Sequence, residues 1–235
     1  MNISIPEEII FEIFTWLPVE SLLRFKCITK FCFEPEEKKF KVFCSTYERY
    51  KQRQCVFTLG IDKSWRETQS ISFSIPYSKP SVCVSGVIYQ FIDGGAIAAI
   101  DVKSEKSETI ALWNALRESI YYYELIEVKG KLVVIDYREW VIGYLDLWIL
   151  EQTPKRKWER HIIRFPSTWN NILVLQSSLC KVSDADILFT LNLNPGVLCL
   201  CYDVTRKSWK ELKIKALPKE SYIYGIYSYV ERFSM

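Results

Sequence analysis

Residues 81–106 read SVCVSGVIYQFIDGGAIAAIDVKSEK, and this stretch contains the pattern that decides the fold. Short runs of valine, isoleucine, tyrosine and phenylalanine occupy Val82–Val84, Val87–Phe91 and Ile97–Val102, with Gly94-Gly95 between the last two. Residues with β-branched or aromatic side chains are enriched in strands, and paired glycines suit a tight hairpin turn. The stretch therefore predicts a meander of short antiparallel strands.

Runs of the same kind continue along the chain from residue 34 onward, separated by polar turns. They are Phe40–Phe43, Cys55–Leu59, Leu132–Ile135, Tyr144–Leu150, Ile187–Leu191 and Val197–Tyr202. The segment Ala111–Tyr123 is ambiguous, because it could also hold one or two helical turns. The pattern predicts a mainly β chain that leaves little room for helix.

Four segments also repeat an order of apolar residue, acidic residue, charged turn and return strand. They run from Phe33 to Phe40, Ile100 to Ser107, Leu150 to Trp158 and Tyr202 to Trp209. Asp101 and Glu151 are 50 positions apart, and Glu151 and Asp203 are 52 apart, close to the about 50 residues of a kelch-like propeller blade.

In each segment we expect the acid to bond the backbone of its own turn, and the return-strand tryptophan or phenylalanine to pack between neighbouring blades. The alternative is a β-sandwich in which this spacing is coincidental.

The N-terminal residues 4–30, SIPEEIIFEIFTWLPVESLLRFKCITK, have a different pattern. Ser4 and Glu7 form a capping-box pair, and Pro18 predicts the end of one helix near Trp16 and the start of another near Val19. Apolar residues at spacings of three and four give the first helix one apolar side: Ile9, Ile10, Ile13, Phe14 and Leu17. Two helices this short cannot bury so many aliphatic side chains, so the surplus must face the rest of the chain or another protein.

The order of residues in two parts of the chain resembles plant F-box proteins. Ile5–Ile9, Ile13 and Leu17–Lys30 resemble the first two-thirds of an F-box. Five further segments resemble the F-box-associated, kelch-like domain of these proteins. They are Phe33–Phe43, Ser81–Tyr89, Ile97–Lys106, Lys129–Leu132 and Asp146–Leu150. The resemblance implies a mainly β chain with a short N-terminal α-helical F-box and a partial kelch-like β-propeller of antiparallel meanders. The implied domains are a truncated two-helix F-box at 1–32 and the F-box-associated β-domain at 33–235.

The F-box match stops after Lys30, where family members continue into a third helix. Here the Phe33-Glu34-Pro35 segment follows at once, and the opening strands of the associated domain are missing at the same junction. We interpret this as an internal deletion or a gene model that skips coding sequence. A propeller short of blades would leave strand edges exposed.

In this family the F-box docks on a Skp-type adaptor of cullin-based ubiquitin ligases, and the domain behind it recognises a substrate protein. The resemblance implies adaptor contacts at Ile5, Pro6, Ile9, Ile13, Leu17, Pro18, Leu22 and Leu23. Burying about five such side chains would contribute roughly 7–15 kcal/mol before association costs, which could consume much of it. The alternative is a non-catalytic protein-binding β-module that has lost adaptor binding.

No combination of residues points to catalysis, a cofactor or a metal. His161 is the only histidine, and we expect it to lie along a strand in a structural role. Asp184 and Asp186 make an incomplete site, while Cys199 and Cys201 suit core packing. An enzyme or small-molecule binder would rest on fold analogy alone, and fold does not fix function.

Composition limits the partners further. The 235 residues have a net charge of +3 without a long basic block, so nucleic acid is not expected as a partner. No apolar run approaches the about 20 residues that span a bilayer. The eight cysteines include no Cys-x-x-Cys, which predicts buried thiols without disulfides. The expected protein is intracellular, in cytoplasm or nucleus, and binds an adaptor, through it a cullin, and an unknown substrate.

Overall fold

The structure of the chain is a computed structural model. The structure describes residues 28–34, 36–48, 51–68, 79, 81–92, 95–113, 120–151, 156–166, 177–181, 186–193 and 196–214. In this part of the chain sixteen strands form four antiparallel sheets of four strands each. The chain divides into two compact units, Met1–Ile120 and Tyr121–Met235, each with two sheets.

The first unit contains two meanders in which consecutive strands pair. Sheet A consists of β1 (Ile28–Glu34), β2 (Lys39–Glu48), β3 (Lys51–Thr58) and β4 (Arg66–Glu67). Sheet B consists of β5 (Val82–Val84), β6 (Val87–Ile92), β7 (Ala96–Asp101) and β8 (Ser107–Ala111).

The second unit repeats the same arrangement. Sheet C consists of β9 (Tyr123–Val128), β10 (Lys131–Asp136), β11 (Tyr144–Glu151) and β12 (Lys157–Arg164). Sheet D consists of β13 (Ser177–Lys181), β14 (Asp186–Leu193), β15 (Gly196–Asp203) and β16 (Ser208–Ile214). Short 3-10 turns lie at Ile120–Tyr122 and Trp140–Ile142.

The mainly β prediction is confirmed, and each apolar run named from the sequence lies in a strand apart from residues at its ends. The ambiguous segment ends in the 3-10 turn Ile120–Tyr122, while its residues 114–119 lie outside the described part. Of the predicted two-helix F-box at residues 1–32, residues 1–27 also lie outside the described part.

Strand β1 begins before the predicted start of the β-domain at residue 33. It includes residues 28–32, which the sequence pattern assigned to the F-box segment. The cause is a hairpin whose register continues without a break from Glu34↔Lys39 to Ile28↔Ser45.

The sequence repeat corresponds to a hairpin at four places, with a turn of four residues in three of them and of five residues after Glu151. In every repeat the apolar residue before the acid is the direct cross-strand partner of the last residue of the segment. These pairs are Phe33↔Phe40, Ile100↔Ser107, Leu150↔Trp158 and Tyr202↔Trp209. Asp101, Glu151 and Asp203 each end the third strand of a sheet, so the predicted period links equivalent positions in three successive meanders. Glu34 instead ends the first strand of sheet A.

Asp203, Asp101 and Glu34 organise their turns as predicted, while the turn that follows Glu151 falls on residues 152–155, outside the described part. The Asp203 carboxylate accepts the backbone N–H groups of Thr205 and Arg206 at 2.9 and 2.8 Å, and Asp101 accepts that of Ser104 at 2.6 Å. Glu34 accepts from the N–H groups of Glu36 and Glu37. Each turn closes on a residue with positive φ that is not glycine, namely Lys38, Glu105, Arg156 and Lys207.

We expect Asp101→Ala to lower the free energy of unfolding by about 1 kcal/mol, because the Ser104 N–H loses its acceptor. Asp101→Asn keeps an acceptor oxygen and should recover most of the loss. Urea titrations of the three proteins measure this difference. Equal stability of the alanine and wild-type proteins would contradict the role of the carboxylate.

Two sets of contacts join the sheets of the first unit, an apolar cluster and a partly exposed network of ion pairs. An apolar cluster combines sheet A residues with sheet B residues and the turn that follows β7: Cys32, Phe43, Val56, Ile88, Ile100 and Val102. Beside it, the Lys41 ammonium donates to the carbonyls of Val102 and Lys103 at 2.9 and 3.3 Å, and to Glu105 Oε1 at 2.8 Å. Arg66 donates to both oxygens of Glu105 at 3.0 Å. The Glu105 turn of sheet B is therefore held by two cations of sheet A.

The second unit is built around a cluster of aromatic rings. Phe165 lies 4.7 Å from both Trp140 and Trp209, centroid to centroid, and Phe189 lies 5.6 to 5.8 Å from all three. Trp209 Nε1 also donates to the carbonyl of Arg164 at 3.0 Å. The prediction that a return-strand aromatic packs between neighbouring sheets is confirmed for Trp209. Phe40 instead contacts Phe33 of its own sheet at 4.9 Å.

Candidate protein-recognition surface

One face of sheet C presents arginines stacked on aromatic rings. The guanidinium of Arg160 lies 5.5 Å from the centroid of Trp148, and that of Arg164 lies 5.6 Å from the centroid of Tyr144. Both arginines belong to β12, and both rings belong to β11. At these distances the ring face attracts the cation and restrains its side chain. The stacks therefore hold two long side chains in fixed positions.

Two buried carboxylates support the same face. Asp136 and Asp146 are cross-strand partners, and their side chains are only 3% and 8% exposed. Arg160 donates to Asp146 through two nitrogens at 2.6 and 3.0 Å, and Arg138 donates to Asp136 at 2.7 to 3.0 Å. Because each aspartate lies beneath its arginine, the anions are hidden and the guanidiniums are presented outward.

An exposed aliphatic side chain lies between the two arginines of β12. Alternate residues of a strand share a face, so Arg160, Ile162 and Arg164 point the same way. Ile162 is 58% exposed and lies opposite the buried Asp146. The face thus has a cation, an apolar side chain and a second cation in a row.

The adjoining end of sheet C carries further exposed apolar side chains. Tyr122, Val141 and Ile142 are all more than half exposed. Val141 and Ile142 belong to the 3-10 turn that Trp140 anchors in the aromatic core, and Gly143 ends this turn at φ 88°. The Tyr137 N–H donates to the Tyr122 carbonyl at 2.8 Å, which links the two exposed segments. Apolar groups on such rigidly held turns suit protein recognition.

Reactive groups in the described residues have ordinary structural surroundings. His161 lies on β12 as predicted, 3.0 Å from Glu159. Cys199 and Cys201 are buried on β15. Across the described residues, no group of three or more histidine, cysteine or acidic side chains could hold a metal ion. The same part of the chain has no helix long and apolar enough to cross a membrane.

The predicted adaptor contacts lie outside the described residues, since all eight fall between positions 5 and 23. Asp184 lies outside them as well, and Asp186 begins β14. The surface on sheet C was missed in the sequence, where only Trp158 and His161 marked β12. The sequence signal for this surface is the alternation of Arg160, Ile162 and Arg164, which places the three side chains on one face of a strand.

A family comparison covers nearly all of this fold. Residues 11–233 match the F-box associated beta propeller domain. The chain belongs to this family. The resemblance to plant F-box proteins with an associated β-domain is confirmed by this match and by curated relatives from Arabidopsis thaliana.

F-box only protein 12 of Arabidopsis thaliana is 31% identical over 147 residues, covering 55% of this chain and 35% of that protein. F-box protein At5g65850 of the same plant is 30% identical, covering 60% and 38%. At1g46984, also named as an F-box protein, is 28% identical over 80% of this chain and 47% of its own length. The chain spans about half the length of these curated relatives, or less.

Among solved structures, the N-terminal domain of Nup159 aligns with a TM-score of 0.46 at 12% identity, over 79% of this chain and 47% of that one. A score at this level supports no argument about function.

Proposed function

We propose that this chain is a substrate-recognition subunit of an SCF-type, cullin-RING ubiquitin ligase. It would bind a Skp-type adaptor through the N-terminal segment and a target protein through the β-domain, and it would contribute no catalytic group. The family match over residues 11–233 carries the proposal, together with relatives that are named as F-box proteins.

The target-binding half of the proposal draws support from sheet C. Arginine, tyrosine and tryptophan dominate the energetics of protein interfaces, especially where they are held in place before binding. Arg160 and Arg164 are fixed by ring stacking, and Ile162 is exposed between them. This face is the best-defined binding surface in the described residues.

Adaptor binding is tested with Leu17→Asp and Leu23→Asp, each of which would place a charge in the proposed interface. We expect each variant to bind a purified Skp-type adaptor at least about tenfold more weakly, because burying one leucine contributes about 1.5–3 kcal/mol. Ile61→Asp is the matched control, since Ile61 is 55% exposed on the turn between β3 and β4. Titration calorimetry of the full chains gives the four dissociation constants, those of wild type and of the three variants. Wild-type affinity in both leucine variants would rule out this interface.

The second candidate is a non-catalytic protein-binding β-module that has lost adaptor binding. It is favoured by the start of β1 at Ile28, because residues 28–30 of the F-box match then belong to a sheet. This candidate predicts a folded chain that shows no adaptor binding in the same titration. Adaptor affinity that depends on Leu17 and Leu23 would exclude it.

A further inference from the structure

Strand β12 is the outer strand of sheet C. It pairs with β11, and no strand in the described part of the chain pairs with its other side. An unpaired strand side presents a row of backbone donors and acceptors to any extended segment that approaches.

The register shows which backbone groups face outward. Phe165 N–H donates to the Gly143 carbonyl, which continues the β11–β12 ladder by one hydrogen-bonded pair. Such pairs alternate along an antiparallel ladder, so the odd-numbered residues of β12 bond to β11. The N–H and C=O groups of Arg160 and Ile162 therefore point away from the sheet. The Arg164 carbonyl agrees with this assignment, because it accepts the Trp209 indole from sheet D.

The outward backbone groups and the exposed side chains belong to the same residues. A segment that pairs with β12 would place its own side chains directly opposite Arg160 and Ile162 and beside Arg164. Opposite charges across a strand pair are stabilising, and like charges are destabilising. Facing side chains occupy every second position of a strand, so the complementary segment carries an acid, an apolar residue and an acid at successive alternate positions, in the order acid-x-apolar-x-acid.

We propose that β12 binds an extended acidic segment of the target protein as an added strand. Its acidic side chains would meet Arg160 and Arg164, and an apolar side chain between them would cover Ile162. The ladder of new backbone bonds would end at Ile162, because Trp209 already occupies the Arg164 carbonyl. The inference deepens the target-binding half of the proposed function and rests on it.

Charge argues against a second copy of this chain as the occupant. Two β12 strands paired antiparallel about Ile162 would place Arg160 of each copy opposite Arg164 of the other. Both contacts would be repulsive.

The test uses the full chain and a fluorescein-labelled alternating peptide of nine residues, in which glutamate and valine alternate at the odd positions and threonine fills the even positions, so that glutamate, valine and glutamate share one face. Fluorescence anisotropy should show binding that weakens as salt is raised. A peptide of the same composition with its glutamates in one block should bind at least tenfold more weakly, and one with lysine for glutamate should not bind. Two further peptides carry backbone N-methyl groups, one on its odd-numbered residues and the other on its even-numbered residues. One of the two should lose binding and the other should keep it.

Arg164→Glu is the decisive variant, because in the described residues this side chain stacks on Tyr144 without a carboxylate partner. It should weaken peptide binding at least tenfold. Ile162→Ala should weaken peptide binding severalfold. Arg164→Lys keeps the positive charge and should lose less peptide affinity than Arg164→Glu. Lys63→Glu makes the same charge change on the exposed turn before β4 and should bind like wild type. Thermal melting confirms that each variant is folded.

Three results would overturn the inference: no binding of the alternating peptide, equal binding of the block peptide, or wild-type affinity in Arg164→Glu. A fourth is concentration-dependent dimerisation that Arg164→Glu abolishes, which would assign the strand to a second copy. The adaptor titration is separate. Adaptor binding without peptide binding would refute this inference alone, and the reverse result would refute the ligase role alone.

Discussion

Replacing Phe189 with alanine is expected to lower the free energy of unfolding by about 3–5 kcal/mol. Phe189 is 1% exposed and contacts the rings of Trp140, Phe165 and Trp209. The substitution removes a ring that joins sheet D to the end of sheet C and leaves a cavity among rigid neighbours. Such a loss is a large fraction of the 5–15 kcal/mol by which most domains are stable.

The measurement is denaturant unfolding, followed by hydrogen exchange in β10, β11, β14 and β15. Phe189→Leu preserves most of the volume and should cost under half as much. Tyr122→Ala removes a ring that is 51% exposed and should change stability by less than about 1 kcal/mol. A small effect of Phe189→Ala, similar to that of Tyr122→Ala, would mean that the aromatic cluster does not hold the second unit together.

The second large effect is expected at Glu105, which holds the turn after β7 to sheet A. Glu105→Ala should destabilise the protein by about 3 kcal/mol, because the Lys41 ammonium loses its carboxylate while its side chain stays only 7% exposed. Two carbonyls still accept from Lys41, which limits the loss. Glu105→Gly is the matched control, because Glu105 has a φ of 59° that glycine adopts without strain. The glycine variant should therefore be less destabilised than the alanine variant.

The same carboxylate gives stability a defined pH dependence. Burial raises the pKa of Glu105, but hydrogen bonds from Arg66 and Lys41 and the charges of both outweigh it, so the pKa lies below its ordinary 4.5. A group with a depressed pKa contributes stability above its unfolded pKa, and this contribution is lost as pH falls through the folded pKa. The stability difference between wild type and Glu105→Gln should hold above pH about 5 and shrink as the pH falls below about 4.5. A difference that is constant from pH 7 to pH 3 would contradict the ion-pair role.

The inner strands could be predicted because their residues are buried on both faces. β6, β7 and β10 have almost uninterrupted burial, and they appear in the sequence as continuous apolar runs. Outer strands β8 and β12 are largely exposed, so charged residues interrupt them. None of the apolar runs in the sequence falls on β8, and only Trp158 and His161 mark β12.

The repeat was also readable, because the acid and its hairpin are local in sequence. The sequence does not show which two strands of a sheet each repeat connects. In sheet A the Glu34 hairpin connects the first and second strands, whereas in the other sheets the repeat connects the third and fourth. The Lys41–Glu105 pair joins residues 64 positions apart and left no sequence signal.

The sequence by itself determined the family, the antiparallel meanders and the acid-led turns, because each depends on residues within one hairpin. The tertiary structure alone decided that Arg160 lies over Trp148 and Asp146, and that Arg164 lies over Tyr144. Cross-strand register selects those neighbours, and the burial of Asp136 and Asp146 beneath the arginines follows from packing across the whole sheet. The binding face of sheet C is therefore a property of strand register, which no single stretch of the chain specifies.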